Sequence, residues 1–153
     1  MHDVRSIAPV KISGEVIKGF GRGSKLLGCP TANLPLDAIK ESNHLDPGVY
    51  CGWASVSGSG PFKMVMSLGW NPYFQNKEKT VEPHLIHEFA EDFYGQELRL
   101  VICAFLRPEA NFPALDDLIA AINQDIKVAK ETLDTPDLSA VSADEFLQIS
   151  QKP

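Results

Sequence analysis

Little in this 153-residue sequence suggests a membrane, a secretory compartment or a nucleic-acid grip. No run of about 18 apolar residues occurs, which excludes a membrane-spanning helix on hydropathy. Nothing after Met1 has the charged-then-apolar form of a leader, so the expected compartment is cytoplasmic. Positive charge is scarce: 14 Lys and Arg against 20 Asp and Glu leave a formal net charge of −6. General binding to nucleic acid or anionic lipid is therefore not expected, and any phosphate ligand has to be held locally. Cysteine is limited to Cys29, Cys51 and Cys103, without C-x-x-C spacing, which predicts small core thiols rather than a disulfide frame. Neither the G-x-x-x-x-G-K-[ST] spacing of a P-loop nor the dinucleotide G-x-G-x-x-G fingerprint is present.

What remains is enough apolar residue, 44%, for one domain spanning 1–153 with its own core. "PVKISGEVIKG" (9–19) alternates apolar and polar residues with the period of a half-buried strand. "GVYCGWASVS" (48–57), "FKMVMSLGW" (62–70), "PHLIHEF" (83–89) and "ELRLVICAFLR" (97–107) are similarly rich in β-branched and aromatic residues. "SGSGP" (57–61) predicts a hairpin turn and "DFYG" (92–95) a second reversal. Five strands with short links and no helices between them favour an antiparallel, barrel-like sheet. Over 113–133 the period changes: Leu115, Leu118, Ile119, Ile122, Ile126, Ala129 and Leu133 recur at helical steps, with Pro113 at the first helical position. "SADEF" (142–146) has the Ser-x-x-Glu form of a capping box and predicts a second, short helix.

Three stretches carry candidate chemistry. "GFGRGSKLLG" (19–28) combines permissive glycines with Arg22 and Lys25. That composition suits a phosphate cradle of backbone N–H groups, and equally a solvated hairpin loop. Thr31 and Asn33 of "PTAN" are two residues apart, so on an extended segment both face one side and offer two neutral oxygens to a hard cation. A turn in which both side chains bond their own backbone is the alternative. Glu82 is the only carboxylate between Lys79 and Glu88 and stands where a basic loop enters an apolar strand. It suits either a general base or a solvated strand end. His84 and His87 face opposite sides of a strand, which argues against zinc.

"GRGSKLLGCPTANL" (21–34), "GVYCGWA" (48–54), "MVMSLGWNPYF" (64–74), "KTVEPHLIHEF" (79–89), "DFYG" (92–95) and "FLRPEANF" (105–112), followed by the amphipathic helix, resemble the riboflavin kinases, or flavokinases, of the eukaryotic monofunctional kind. The resemblance spans roughly residues 10–133. It implies a mainly β fold, a six-stranded antiparallel Greek-key barrel over about 9–110 with a C-terminal helical region over about 113–150. The sixth strand then lies around "TANLPL" or in the N-terminal segment. It implies phosphorylation of the riboflavin 5′-hydroxyl by ATP to give FMN and ADP, with Mg²⁺, or Zn²⁺ or Mn²⁺ in its place.

By the same resemblance, Gly21, Gly23 and Lys25 contact the nucleotide phosphates, and Thr31 and Asn33 meet both nucleotide and metal. Glu82 is the base, His84 lies near the nucleotide, and Arg107, Glu109 and Asn111 approach the flavin. One departure is Pro83 after Glu82, where Thr is expected in some relatives; proline restricts Glu82 to extended geometry. There is no room for the adenylyltransferase domain of bacterial fusions, so FMN rather than FAD is the expected product of a monomer. A non-catalytic flavin-binding barrel is the alternative, although a carrier has no use for a base and a metal pair.

Overall fold

The computed structural model describes residues 2–15, 45–70, 79–86, 97–108 and 114–148. Five strands, β1 (Arg5–Glu15), β2 (Gly48–Val56), β3 (Ser59–Trp70), β4 (Lys79–Leu85) and β5 (Glu97–Arg107), form one sheet in the order β1-β5-β2-β3-β4. Every neighbouring pair is antiparallel. The fold is thus mainly β with a C-terminal helix, as the strand spacing predicts. "TANLPL", one place for a sixth strand, lies outside the described residues, as do "DFYG", Cys29 and His87.

Both faces of the sheet are covered, and this explains why β2 is buried along its whole length instead of alternating in and out. On the inner face Tyr50, Ala54 and Val56 join Ile12, Met64, Met66, Leu68, Leu85, Leu98, Leu100 and Ile102. On the other face Val49, Cys51 and Trp53 join Val65, Val101, Cys103 and Leu106 under the helix α1 (Leu115–Leu133). Ala129 and Leu133 of α1 have no exposed surface. Cys51 and Cys103 are buried, unbridged thiols, and burial raises both, Cys103 to about 12.

The chain's last helical pieces, α2 (Pro136–Ser139), a 3₁₀ turn (Ala140–Ala143) and α3 (Glu145–Gln148), extend the same layer. The Trp53 indole donates to the Leu138 carbonyl at 2.9 Å, and Arg99 donates to the Phe146 carbonyl at 3.2 Å with its guanidinium 5.0 Å from that ring. Two polar anchors thereby fasten the segment to β2 and β5. No helix among the described residues is long and apolar enough to cross a membrane.

Several boundaries differ from the sequence reading. β1 begins at Arg5 rather than residue 9 because β5 is long enough to pair Arg5 with Phe105, and Pro9 sits in a register irregularity between Ser6 and Val10. β4 begins at Lys79 rather than residue 83, paired opposite Trp70; Pro83 is tolerated because β4 has β3 as its one neighbour among the described strands. The hairpin turn shrinks to Ser57 and Gly58, whose φ of 48° and 85° give the doubly left-handed reversal that matches strand twist.

The helix starts at Leu115 with Ala114 as its cap, and Pro113 lies outside the described residues. Its expected apolar stripe fails at Leu118, which is 37% exposed, because the sheet underlies only the C-terminal turns. The Ser142 capping box does not form either. The Ser142 hydroxyl donates to the Ser139 carbonyl, while the Asp144 carboxylate accepts the Phe146 N–H at 2.8 Å and caps α3.

At Gly52 β2 and β5 leave no room for a side chain, since a Cβ built there would lie 2.0 Å from the Val101 carbonyl oxygen. Gly52→Ala should force the two central strands apart at a cost of about 3 kcal/mol and lower the thermal midpoint by roughly 10 °C. Calorimetry checks this; an unchanged midpoint contradicts the close approach.

Candidate functional site

The site is built from the C-terminal end of β5. Ile102 stands opposite Gly52 but Ala104 opposite Cys51, and Phe105 opposite Tyr50 but Arg107 opposite Val49. Each shift inserts one extra residue, Cys103 and then Leu106, into β5. Regular alternation from the inward Phe105 would return residue 107 to the inner face. The second bulge instead leaves both Leu106 and Arg107 on the α1 side.

There Arg107 meets Asp125 of α1 in a two-pronged fork. Its Nε donates to Asp125 Oδ1 and its Nη2 to Oδ2, each at 2.7 Å. Arg107 is 5% exposed and Asp125 2%. Nη1 donates to the Pro108 carbonyl at 3.3 Å, and His2 Nε2 lies 2.8 Å from Asp125 Oδ1. A buried pair of this kind adds little net stability over an apolar pair, but breaking it leaves a buried charge and costs about 3–5 kcal/mol.

Across the sheet, Arg107 pairs with Val49, Val49 with Ser67, and Ser67 with Glu82. The expected base and the expected flavin residue therefore stand on one register row, their backbones roughly 14 Å apart at ordinary strand spacing. His84 lies two residues along β4, opposite Val65, and is buried. Of the sequence-predicted site residues, Gly21, Gly23, Lys25, Thr31, Asn33, Glu109 and Asn111 lie outside the described residues, and Glu82 is placed by its backbone register alone. No group of three or more His, Cys, Asp and Glu among the described residues has the arrangement of a metal site.

Asp125 is absent from the sequence reading, yet its signal is present. It falls three residues after Ile122 and four before Ala129, so it interrupts the buried stripe with a charge. The reading also passes over a cavity of about 410 Å³ on the inner face near the same end of β5, lined by Arg5, Asp46, Tyr50, Phe105 and Pro108 among others. The Tyr50 hydroxyl donates to the Asp46 carbonyl at 2.6 Å, the Tyr50 and Phe105 rings meet edge to face, and the Arg5 guanidinium lies 4.6 Å from the Phe105 ring centre.

Burial lowers the His84 pKa from 6.5 to about 4, against the opposing pull of the Asp125 carboxylate. A neutral imidazole can offer a nucleotide a hydrogen bond but no charge. Its stability contribution is complete above about pH 6.5 and is lost as pH falls toward about 4, because the unfolded chain takes up the proton first. His84→Gln should flatten the fall of the thermal midpoint across that window, a contribution on the order of 3 kcal/mol. Equal slopes for the two proteins contradict the buried neutral imidazole.

A riboflavin kinase family model matches residues 6–133. The chain is 57% identical over 142 residues to the bifunctional riboflavin kinase/FMN phosphatase of Arabidopsis thaliana, covering 92% of this chain but 38% of that protein's length. It is 48% identical over 144 residues to the riboflavin kinase of Mus musculus, covering 94% of this chain and 93% of the mouse protein. The crystal structure of riboflavin kinase from Trypanosoma brucei superposes with a TM-score of 0.77 at 28% identity, covering 95% of this chain and 92% of that one. With a family match across most of its length, the sheet and C-terminal helix of a solved member, and close relatives in plant and mouse, this chain belongs to the riboflavin kinase family.

Proposed function

We propose that the chain transfers the γ-phosphoryl group of ATP to the 5′-hydroxyl of riboflavin, giving FMN and ADP. The observation that carries this reading is the family match over residues 6–133. The placement of Glu82 and Arg107 on one register row across β5, β2, β3 and β4 agrees with it. The named relatives are kinases, which does not favour the carrier reading. We also retain the six-stranded barrel, with a sixth strand closing the five described here, and its support is the likeness to a solved riboflavin kinase. A cytoplasmic monomer completes the reading, and unbridged Cys51 and Cys103 suit a reducing compartment.

Phosphoryl transfer asks little covalent chemistry of a protein; it asks for alignment of attacking and leaving oxygens and for neutralised charge. In this reading Glu82 takes the proton of the riboflavin 5′-hydroxyl as that oxygen attacks phosphorus, and ADP leaves from the opposite side. Gly21, Gly23 and Lys25 hold the phosphates, and the neutral His84 adds a hydrogen bond. Arg107, Glu109 and Asn111 hold the flavin side. One hydroxyl and one amide oxygen, from Thr31 and Asn33, are hard neutral donors that fit Mg²⁺ or Mn²⁺ better than Zn²⁺, whose preferred ligands are imidazole and thiolate. A bound divalent ion would supply charge neutralisation at the phosphates, whose own oxygens complete the donor set.

Glu82→Gln should keep the fold and flavin binding and lower turnover by roughly 10²-fold. Chromatographic assay of FMN together with riboflavin fluorescence quenching checks both halves, and unchanged turnover removes Glu82 from the reaction. Thr31→Ala or Asn33→Ala should raise the Mg²⁺ needed for half-maximal rate, with partial rescue by excess metal, since each loses one donor oxygen. Metal dependence equal to the parent's contradicts that pairing.

A further inference from the structure

Among the described residues, Asp125 is one of four buried polar or charged side chains, and it sits in mid-helix where a leucine would pack with less desolvation. Its carboxylate is not there to cap or charge a helix end, because ten residues of α1 precede it and eight follow. Both of its oxygens are committed to the Arg107 fork, and Oδ1 also meets His2 Nε2 at 2.8 Å. The remaining arm of the guanidinium donates to the carbonyl of Pro108, the first residue beyond β5. A continuous polar strut therefore runs from the helix through carboxylate and guanidinium to the backbone of Pro108, where β5 ends.

We propose that Asp125 is a positioning residue for riboflavin: it fixes the rotation of Arg107 and, through Arg107, the Pro108 carbonyl at the end of β5. The inference rests on the riboflavin-kinase reading of Arg107. Arginine suits the task because its planar fork fixes orientation as well as charge. The β5 bulge at Leu106 turns residue 107 to the helix side, and Asp125 then selects a single rotation for it. Without the carboxylate the guanidinium loses its fixed rotation, the Pro108 carbonyl loses its donor, and flavin alignment degrades more than the nucleotide side, which Asp125 reaches only through its charge on the neutral His84.

The test is steady-state kinetics and thermal unfolding of the full chain carrying Asp125→Asn, Asp125→Glu, Arg107→Met, or Arg107→Met with Asp125→Leu. Asp125→Asn should raise the KM for riboflavin about tenfold and leave the KM for MgATP within about twofold, with Asp125→Glu recovering part of the loss. The apolar double variant should regain the parent's thermal midpoint, since a packed apolar pair replaces a buried ion pair without loss. Its riboflavin KM should stay raised and match that of Arg107→Met alone, as expected of two residues acting as one unit. A double variant with the parent's riboflavin KM overturns the proposal, and does so even if Asp125→Asn fails to fold. Equal changes in both KM values for a folded Asp125→Asn also overturn it and mark the pair as purely structural. A parent chain that forms no FMN overturns the kinase reading and the positioning role together, an outcome distinct from the other two.

Discussion

One buried ion pair ties the parts of this molecule together. Arg107 ends the central strand β5, Asp125 sits in the middle of α1, and their fork is a buried charged contact within the apolar layer between sheet and helix. Such a pair contributes geometry more than stability, because the desolvation of two charges consumes most of the Coulombic gain. It tolerates only one arrangement, however. The bulge at Leu106, the position of α1 over β2 and β5, and the departure of the chain at Pro108 are all fixed relative to one another by it.

The sheet supplies the platform for that geometry. With β5 and β2 central and both faces covered, the two strands have almost no freedom to shift register, since a one-residue slip would carry Tyr50 and Ala54 to the helix side and Trp53 to the inner core. The hydrogen bond from Trp53 to Leu138 and the contacts of Arg99 with Phe146 lock the outer layer to the same two strands. Rigid central strands then carry the register row that places Glu82 and Arg107 at fixed separation. A phosphoryl-transfer site needs this, because its catalysis is mainly alignment.

How much of this was legible in the sequence depends on which force sets each feature. β2, β5 and the end of α1 are legible because continuous apolar runs and a helical period follow directly from burial. The starts of β1 and β4 are not, since both segments open on prolines, Pro9 and Pro83, which an irregularity in β1 and a single described neighbour of β4 accommodate inside longer strands. Ser142 reads as a cap because local spacing cannot show that its hydroxyl bonds the Ser139 carbonyl. Asp125 has no place in the helical apolar period, and only its offset from Ile122 and Ala129 betrays it. Roles for Gly21, Gly23, Lys25, Thr31 and Asn33 came from an ordered set of motifs rather than from any single pattern, and they lie outside the described residues. Periodicity predicts what faces a core; it says little about where a buried charge finds its partner.

The central claim, that this fold aligns a flavin hydroxyl with a nucleotide phosphate, is tested most directly with ATP labelled on its γ-phosphate. Incubated with riboflavin, Mg²⁺ and the purified chain, the label should move to the 5′ position of FMN as unlabelled ADP accumulates. Label that stays in ATP, or that appears only as inorganic phosphate, would contradict the account.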